Sequence, residues 1–194
     1  MSRPVRTWHF LPTDGRLRYG DRRAPADGEW VRCPDGELVL CEHGMHASRS
    51  PLDALRWAPG PIACRVEVRG DVIEDDNKLV GRERRILWRL DATELLRHFA
   101  RLCALDCIEA WGAPPIVLRW LRTGDPAARS AARSAAESAE SAARSAARSA
   151  AWSAARSAAW SAESAAAWSA AGSAQARRLA RMLSAAHCQE VAGE

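Results

Sequence analysis

The residues best suited to chemistry lie in one short stretch, LCEHGMH, which begins at Leu40. Cys41, His43 and His46 supply a thiol and two imidazoles, and zinc accepts both kinds of ligand. On alternate positions of a strand Cys41 and His43 would face the same way, but His46 follows a glycine. The chain also has no paired C-x-x-C motif. We therefore expect ordinary buried cysteines and a hydrogen-bonded histidine, with no metal site and no cofactor.

A second candidate is Lys78, the single lysine among 28 Lys and Arg residues. It lies in the segment EDDNKLVGRER, so one interpretation is a turn lysine that pairs with an acidic residue of 74–76. The other interpretation is a contact to phosphate or to an anionic substrate, with Arg82, Arg84 or Arg85 nearby. No glycine-rich phosphate loop of the Walker or dinucleotide type is present in the sequence.

Length and composition limit the class of protein. The chain has 194 residues, and most bulky aliphatic and aromatic side chains precede residue 121, so the core belongs to the first part. The formal net charge is +4. No segment approaches the ~20 apolar residues that span a membrane, and the N-terminus lacks the apolar core of a secretory signal. We expect a cytoplasmic protein with reduced thiols and no membrane partner.

Strand patterns dominate the first 91 residues. Four segments are typical of strands: residues 5–10, 37–41, 62–73 and 83–91. Between the second and third segments, SPLDALRWA predicts a short helix with Ser50 as the N-cap and Pro51 in the first turn. Helical spacing begins at Asp91 and resumes in IVLRWLR. The sequence therefore predicts a small mixed α+β head over residues 1–122.

Residues 123–194 have a different character, with an alanine- and serine-rich four-residue repeat. Asp125 followed by Pro126 predicts a helix start, and alanine favours a long helix. Four residues advance a helix by about 400°, so the arginine and tryptophan positions spiral slowly around it. The candidate residues for assembly or ligand binding on this spiral are Arg148, Trp152, Arg156, Trp160 and Trp168. We expect the helix to pack on itself, on the head or on other copies of the chain. Of these, packing on other copies would make a homo-oligomer, which is the state that we expect.

Two alternatives remain open for this repeat. It can form a groove for an anionic, stackable ligand, either a nucleotide or, less favoured, nucleic acid. It can also be disordered, although its high alanine content and lack of proline favour a helix.

The head resembles an uncharacterised domain found in bacteriophage and prophage proteins. The segments that carry the resemblance are LCEHGMHASRSPLDALRWAPGPIACRVEVRGDV and DNKLVGRERRILWRLDATELL. The shared features are a Cys-x-x-Gly-x-His-Ala core at 41–47, a Pro-Leu-Asp helix start at 51–53, Gly60, Gly70 and Lys78. The resemblance covers about residues 8–110 and implies a viral origin, which places the protein in the host-cell cytoplasm. It implies no reaction.

The stretch GMHASRSPLDALRWA is also similar to the strand-then-helix element of ADP-ribosyltransferase-like folds. This resemblance implies NAD as the substrate, with His46 or Ser48 lining a nicotinamide pocket. It also implies Glu83 as the acidic residue that stabilises the oxocarbenium ion, and His9 as the early histidine of the site.

Two functional hypotheses follow. The first is a non-enzymatic accessory protein that acts by helix-mediated self-assembly and binding. A special case is an anti-defence role, in which the protein sequesters an anionic nucleotide-like ligand or a host defence factor. Lys78 and Arg82 are then further candidate binding residues beside those of the repeat. The alternative is an ADP-ribosyltransferase-like enzyme that uses NAD, with His46, Ser48 and Glu83 as the catalytic candidates.

Overall fold

The computed structural model describes residues 3–18, 21–106, 108, 112–139 and 162–193, and for 162–171 and 192–193 it describes the backbone alone. Within these ranges the strands are β1 Val5–Leu11, β2 Trp30–Arg32, β3 Met45–Ala47, β4 Ile62–Arg69, β5 Ile73–Asp75, β6 Lys78–Gly81 and β7 Glu83–Asp91. The helices are α1 Pro51–Arg56, α2 Thr93–Asp106, α3 Pro115–Thr123, α4 residues 126–139 and α5 Ala162–Gly193. The predicted α+β class is confirmed.

The strands form two antiparallel sheets. The first has the order β1-β4-β7-β2 and the second has the order β3-β6-β5. The backbone of Trp8 on β1 exchanges hydrogen bonds of 2.7 and 2.9 Å with the backbone of Ser48, just after β3. This bridge ties an edge strand of the first sheet to an edge strand of the second, and it brings the β3 side chains beside those of β1.

The apolar core contains side chains from both sheets, because each sheet has a face that must be removed from water. One cluster consists of Leu11, Ala47, Cys64, Val66, Val68, Leu79 and Ile86. A second consists of Val31, Cys33, Leu38, Met45 and Val80. Burial raises the pKa of the Cys64 thiol to about 12, so this thiol stays protonated at neutral pH.

The predicted helix starts are confirmed by their capping bonds. Ser50, Asp91 and Asp125 each accept a side-chain hydrogen bond from the N–H two residues further on, at 3.2, 2.8 and 2.9 Å. Such side-chain bonds satisfy N–H groups that have no partner within the helix. Local side-chain chemistry therefore fixes where α1, α2 and α4 begin.

Two strand predictions need correction. Residues 37–41 do not form a strand, because the chain turns there and makes one isolated bridge between Val39 and His43. The strand predicted over 62–73 ends at Arg69, since Gly70 and Asp71 adopt positive φ angles of 76° and 48° and reverse the chain. The short strands β2, β5 and β6 were not predicted, and β3 was implied only by the strand-then-helix resemblance, because three or four residues carry too little periodicity to be recognised.

The chain divides into two compact units. The first consists of Met1–Leu96 with Gly172–Glu194, and the second of Arg97–Ala171. In the first unit Leu179 and Leu183 of α5 are fully buried, and His187 stacks on Trp88 with ring centroids 4.3 Å apart. The boundary between residues 122 and 123 remains a prediction from composition. No helix in the described ranges combines the length and the apolar character needed to cross a membrane.

Within the second unit α3 and α4 share an apolar cluster. Val117 and Leu121 of α3 and Ala132 of α4 are buried together. The predicted single helix from Asp125 to about residue 188 is helical in its described parts, 126–139 and from 162 onward, and residues 140–161 lie outside the described ranges.

Candidate functional site

A cavity of about 1130 Å³ lies in the first unit, and it is lined by β1, β3, α1 and the loops on either side of β2. This volume is slightly above the roughly 300–1,000 Å³ usual for small-molecule sites. Six of its lining side chains are cationic: Arg18, Arg22, Arg23, Arg32, Lys78 and Arg84. Three are acidic: Asp21, Asp35 and Glu42. The excess of positive charge makes the cavity attractive to anions.

Some of these cations are already paired at the cavity rim. Arg23 forms an ion pair of 2.6 Å with Asp21, and the hydrogen bond from Arg23 lowers the pKa of that carboxyl group. Arg32 lies 3.4 Å from the carboxylate of Asp35. These exposed pairs are worth at most about 1 kcal/mol each, and neither of them includes the buried Arg84.

Arg84 is the most deeply buried cation of the cavity, with 6% of its surface exposed. It sits on β7 opposite Val31 and Val68, and its guanidinium donates to the backbone carbonyl of His46. Among the described residues no carboxylate lies within ion-pair distance of it. Burial lowers the pKa of Arg84 to about 10, so it still carries its charge at neutral pH.

Two histidines lie beside this guanidinium. Burial lowers the pKa of His9 well below its usual value, and the charge of Arg84 and the neighbouring His46 lower it further. Burial also lowers the pKa of His46, although the carbonyl of Gly44 opposes this shift. Both rings are therefore neutral at pH 7, and each offers a hydrogen bond without adding charge.

A tight turn holds His46 in place. Its Nε2 accepts a hydrogen bond of 2.8 Å from the backbone N–H of Cys41, so the proton of the neutral ring is on Nδ1. Gly44 within this turn has a φ of 124°, and a Cβ there would collide with Val80 and Leu38. The glycine of the Cys-x-x-Gly-x-His core is therefore required by both backbone angle and space.

Lys78 completes one side of the cavity at the start of β6. Its ammonium group donates to the thiol of Cys41 and lies 4.4 Å from the ring centroid of Trp57, both of which also line the cavity. Among the described residues Lys78 forms no salt bridge with an acidic residue of 74–76, and Glu74 instead receives a 2.7 Å hydrogen bond from Arg49. Contact with Trp57 is a cation–π interaction.

The structure brings some of the predicted site residues together and separates others. His46, Ser48 and Lys78 line the cavity, whereas Arg82 and Glu83 are outside its described wall. Arg82 donates to the carbonyl of Gly36 and lies 3.7 Å from the carboxylate of Asp71. Glu83 forms ion pairs with Arg69 and Arg32, at 2.5 and 3.6 Å.

The structure does not describe the side chains of the candidate residues in the alanine-rich repeat. Arg148, Trp152, Arg156 and Trp160 lie outside the described residues. Trp168 belongs to α5, at a position where only the backbone is described.

The imidazoles considered for zinc are engaged by the backbone. Nε2 of His46 accepts the N–H of Cys41, and Nε2 of His43 lies 3.0 Å from the carbonyl oxygen of Pro34. Across the part of the chain that the structure describes, no three His, Cys, Asp or Glu side chains are grouped as metal ligands.

Sequence reasoning named Arg84 only as one of three arginines near Lys78 and did not recognise its burial in the cavity. Residues 83–91 were assigned to a strand, and Arg84 shares the inward face with Ile86 in the burial pattern of β7. An arginine on the apolar face of a strand is the signal that could have identified it. Trp57 was also missed as a wall of the cavity, because it follows the last residue of α1.

Comparison with known proteins gives a partial match. Residues 24–98 match a family described as a domain of unknown function, DUF7666. The matched region runs from before β2 into α2, so it contains Cys41, His46, Lys78 and Arg84 but not β1 with His9. No curated protein and no solved structure matches the chain. The head of this protein is thus similar to a family whose description assigns no activity.

Proposed function

We propose that the protein is a non-enzymatic binding protein that sequesters an anionic, nucleotide-like ligand in the cavity of its head. The observation that carries this proposal is Arg84, a buried and charged guanidinium without a carboxylate partner among the described residues. Leaving a buried charge uncompensated costs a protein about 3–5 kcal/mol. A bound phosphate or carboxylate would provide the missing negative charge, and its contact with arginine would be bidentate.

A nucleotide fits this cavity better than a simple anion. The neutral rings of His9 and His46 can hydrogen-bond to a sugar or a phosphate beside Arg84. Two tryptophans line the same cavity, Trp8 almost fully buried and Trp57 60% exposed. Stacking of a base on an aromatic side chain contributes about 1–3 kcal/mol, so Trp57 offers a second point of recognition.

Calorimetric titration tests the proposal. The probes are inorganic phosphate, pyrophosphate, AMP, ADP-ribose and NAD, added to the full chain and to the Arg84→Met variant. We expect at least one phosphate-bearing probe to bind, and Arg84→Met to weaken it by about tenfold to a hundredfold, because a charged hydrogen bond is worth about 1.5–3 kcal/mol.

The matched control is Arg85→Met, which removes a guanidinium from the next position of β7 and should change the affinity less than twofold. Failure of every probe to bind, or equal losses in both variants, would contradict the proposal.

A second candidate is an ADP-ribosyltransferase-like enzyme. Its support is that His9, His46 and Ser48 share the cavity wall. The position of Glu83, in ion pairs outside that wall, weighs against it. Release of nicotinamide from NAD, abolished by His46→Ala, would favour this enzyme over a binding protein.

Self-assembly through the alanine-rich helix is the other part of the proposed function. It is supported by the spacing of arginine and tryptophan in the repeat, where cation–π contacts of roughly 0.5–1 kcal/mol can form between neighbouring turns. Light scattering should report an oligomer, and replacing Trp152, Trp160 and Trp168 together by Ala should reduce it to a smaller species. A monomeric wild-type protein would contradict this part.

The proposed setting is a virus-infected bacterial cell. The resemblance of the Cys41–Lys78 region to phage and prophage domains supports it, and sequestration of a nucleotide signal in the host cytoplasm would then counter a host defence.

A further inference from the structure

The contact between Lys78 and Cys41 has no role in the proposed function, although both residues line the cavity. The ammonium nitrogen is within hydrogen-bond distance of the sulfur. Cys41 is exposed and is not in a disulfide, so small oxidants can reach its thiol. An amine and an accessible thiol are therefore held together on one surface.

The choice of lysine at this position is chemically specific. Every other cationic residue among the 28 Lys and Arg residues is arginine. Arginine fulfils the cation–π role elsewhere in the head, where Arg69 and Arg85 lie 3.9 and 4.8 Å from the ring centroid of Trp30. An amine differs from a guanidinium in that it loses its proton readily and then acts as a nucleophile. The one lysine is thus the one side-chain amine of the chain, and it contacts a thiol.

The other described cysteines lack this combination. Cys33 and Cys64 are buried, and burial raises the pKa of Cys64 to about 12, which disfavours its reactive thiolate. Cys103 is half-buried on α2 and Cys188 is exposed on α5, and the only lysine of the chain, Lys78, contacts Cys41 instead. Cys188 is therefore the natural control for exposure alone.

We propose that Lys78 and Cys41 are an oxidative modification site, at which a peroxide joins the two side chains in a covalent cross-link. In the first step the Cys41 thiolate attacks hydrogen peroxide, an S–O bond forms, the O–O bond breaks, and water leaves after protonation. In the second step the neutral Lys78 amine attacks the sulfenic sulfur, an S–N bond forms, and the S–O bond breaks. The leaving hydroxide takes a proton from the nitrogen. Sulfur is oxidised by two electrons, one peroxide is reduced, and two waters are released.

The cross-link changes the cavity wall as well as the thiol. The nitrogen bound to sulfur no longer carries the ammonium charge, so the wall loses one of its six cations. The cross-link itself does not depend on any ligand, and it can therefore be tested apart from the proposed function.

Mass spectrometry of the full chain after treatment with hydrogen peroxide tests this inference. We expect a product that lacks two hydrogens, in which trypsin no longer cleaves after Lys78 and the Lys78 and Cys41 peptides are joined. The peptide map is needed because a disulfide also removes two hydrogens. Dithiothreitol should restore the original mass, since thiols reduce S–N bonds.

Matched variants separate the pair from the thiol. Lys78→Arg keeps the charge but should yield only oxygen additions on Cys41, and Cys41→Ser should yield no cross-link. If Cys41→Ser is unstable, Cys41→Gly suits the left-handed φ of 72° at this position. Cys188→Ser should behave as the wild type. A wild-type chain that gains oxygen at Cys41 while Lys78 remains free, or that does not react at either residue, would overturn the inference.

Discussion

Arg84 and Arg85 are neighbours on β7, but they point to opposite faces of the sheet and differ in burial and in ion pairing. Arg84 faces inward, is 6% exposed, and donates to a backbone carbonyl. Arg85 faces outward, lies 2.7 Å from the carboxylate of Glu67, and packs over the ring of Trp30. Arg84 is a buried charge without an ion-pair partner among the described residues, whereas Arg85 has both an ion-pair partner and an aromatic ring beside it.

The outer face shows how this protein stabilises arginines when they serve the fold. Arg6, Glu67 and Arg85 lie in register across β1, β4 and β7, and Glu67 pairs with both arginines. Burial raises the pKa of Glu67, but hydrogen bonds from Arg85 and Arg6 outweigh this and bring it below its usual value. Cross-strand pairs of opposite charge stabilise a sheet by about 0.2–1 kcal/mol each.

The comparison supports the proposal that Arg84 binds an anionic ligand. The same strand places one arginine in a matched network and the next in a cavity that holds an excess of positive charge. A buried cation without an ion pair among the described residues marks a candidate binding site, because a ligand can supply the counter-charge.

The largest expected effect is that two neighbouring substitutions change the free energy of unfolding in opposite directions. Arg84→Met removes an uncompensated buried charge, so the ligand-free protein should be as stable as the wild type or up to about 3 kcal/mol more stable. Arg85→Met leaves the carboxylate of Glu67 with Arg6 alone and should cost about 1–2 kcal/mol. Urea unfolding of the two variants measures both. A large loss of stability in Arg84→Met would show that Arg84 is structural.

A smaller effect is the pH dependence of the free energy of unfolding that His9 causes. The pKa of His9 is lower in the folded chain than its usual value of 6.5, so the unfolded chain binds the extra proton between these two values. Stability should therefore fall as the pH drops below about 6.5, by up to ~1.4 kcal/mol per pH unit. In the His9→Gln variant the loss of stability per pH unit should be smaller below pH 6.5. Near pH 8 the variant and the wild type should show the same slope. An unchanged slope below pH 6.5 would contradict the lowered pKa of His9 in the folded chain.

The smallest effect concerns the outer face in acid. The pKa of Glu67 is lower in the folded chain than its usual value of 4.5, so its contribution is present above that pH and is lost as the pH falls through the folded value. Glu67→Gln should cost about 1 kcal/mol at pH 7, and the gap from wild type should close at lower pH. A gap that persists in acid would show that the carboxylate charge is not what stabilises the network.

Much of the fold could be predicted because it is encoded locally. Alternation of apolar and polar residues predicted β4, strand-like segments predicted β1 and β7, and the capping residues Ser50 and Asp125 predicted the starts of α1 and α4. The short strands β2 and β3 depend on partners far along the chain, Arg84 for Val31 and Val80 for His46, and local pattern does not contain that information.

The site was predicted less completely, for the same reason. His46, Ser48 and Lys78 stood out by type and do line the cavity. Arg84 was one of three arginines considered near Lys78, and what distinguishes it, burial without an ion pair among the described residues, depends on tertiary packing. The pairing of Lys78 with Cys41, which are 37 residues apart, likewise arises from the turn at Cys41.

The most direct test of the central claim is the urea unfolding midpoint of the wild type and of Arg84→Met, each with and without pyrophosphate. Ligand that binds only the folded state raises stability by about 2.7 kcal/mol at a hundredfold excess over its dissociation constant. We predict that pyrophosphate stabilises the wild type and has little effect on Arg84→Met, which is at least as stable as the wild type when no ligand is present. Equal stabilisation of the two proteins, or none of either, would contradict the account.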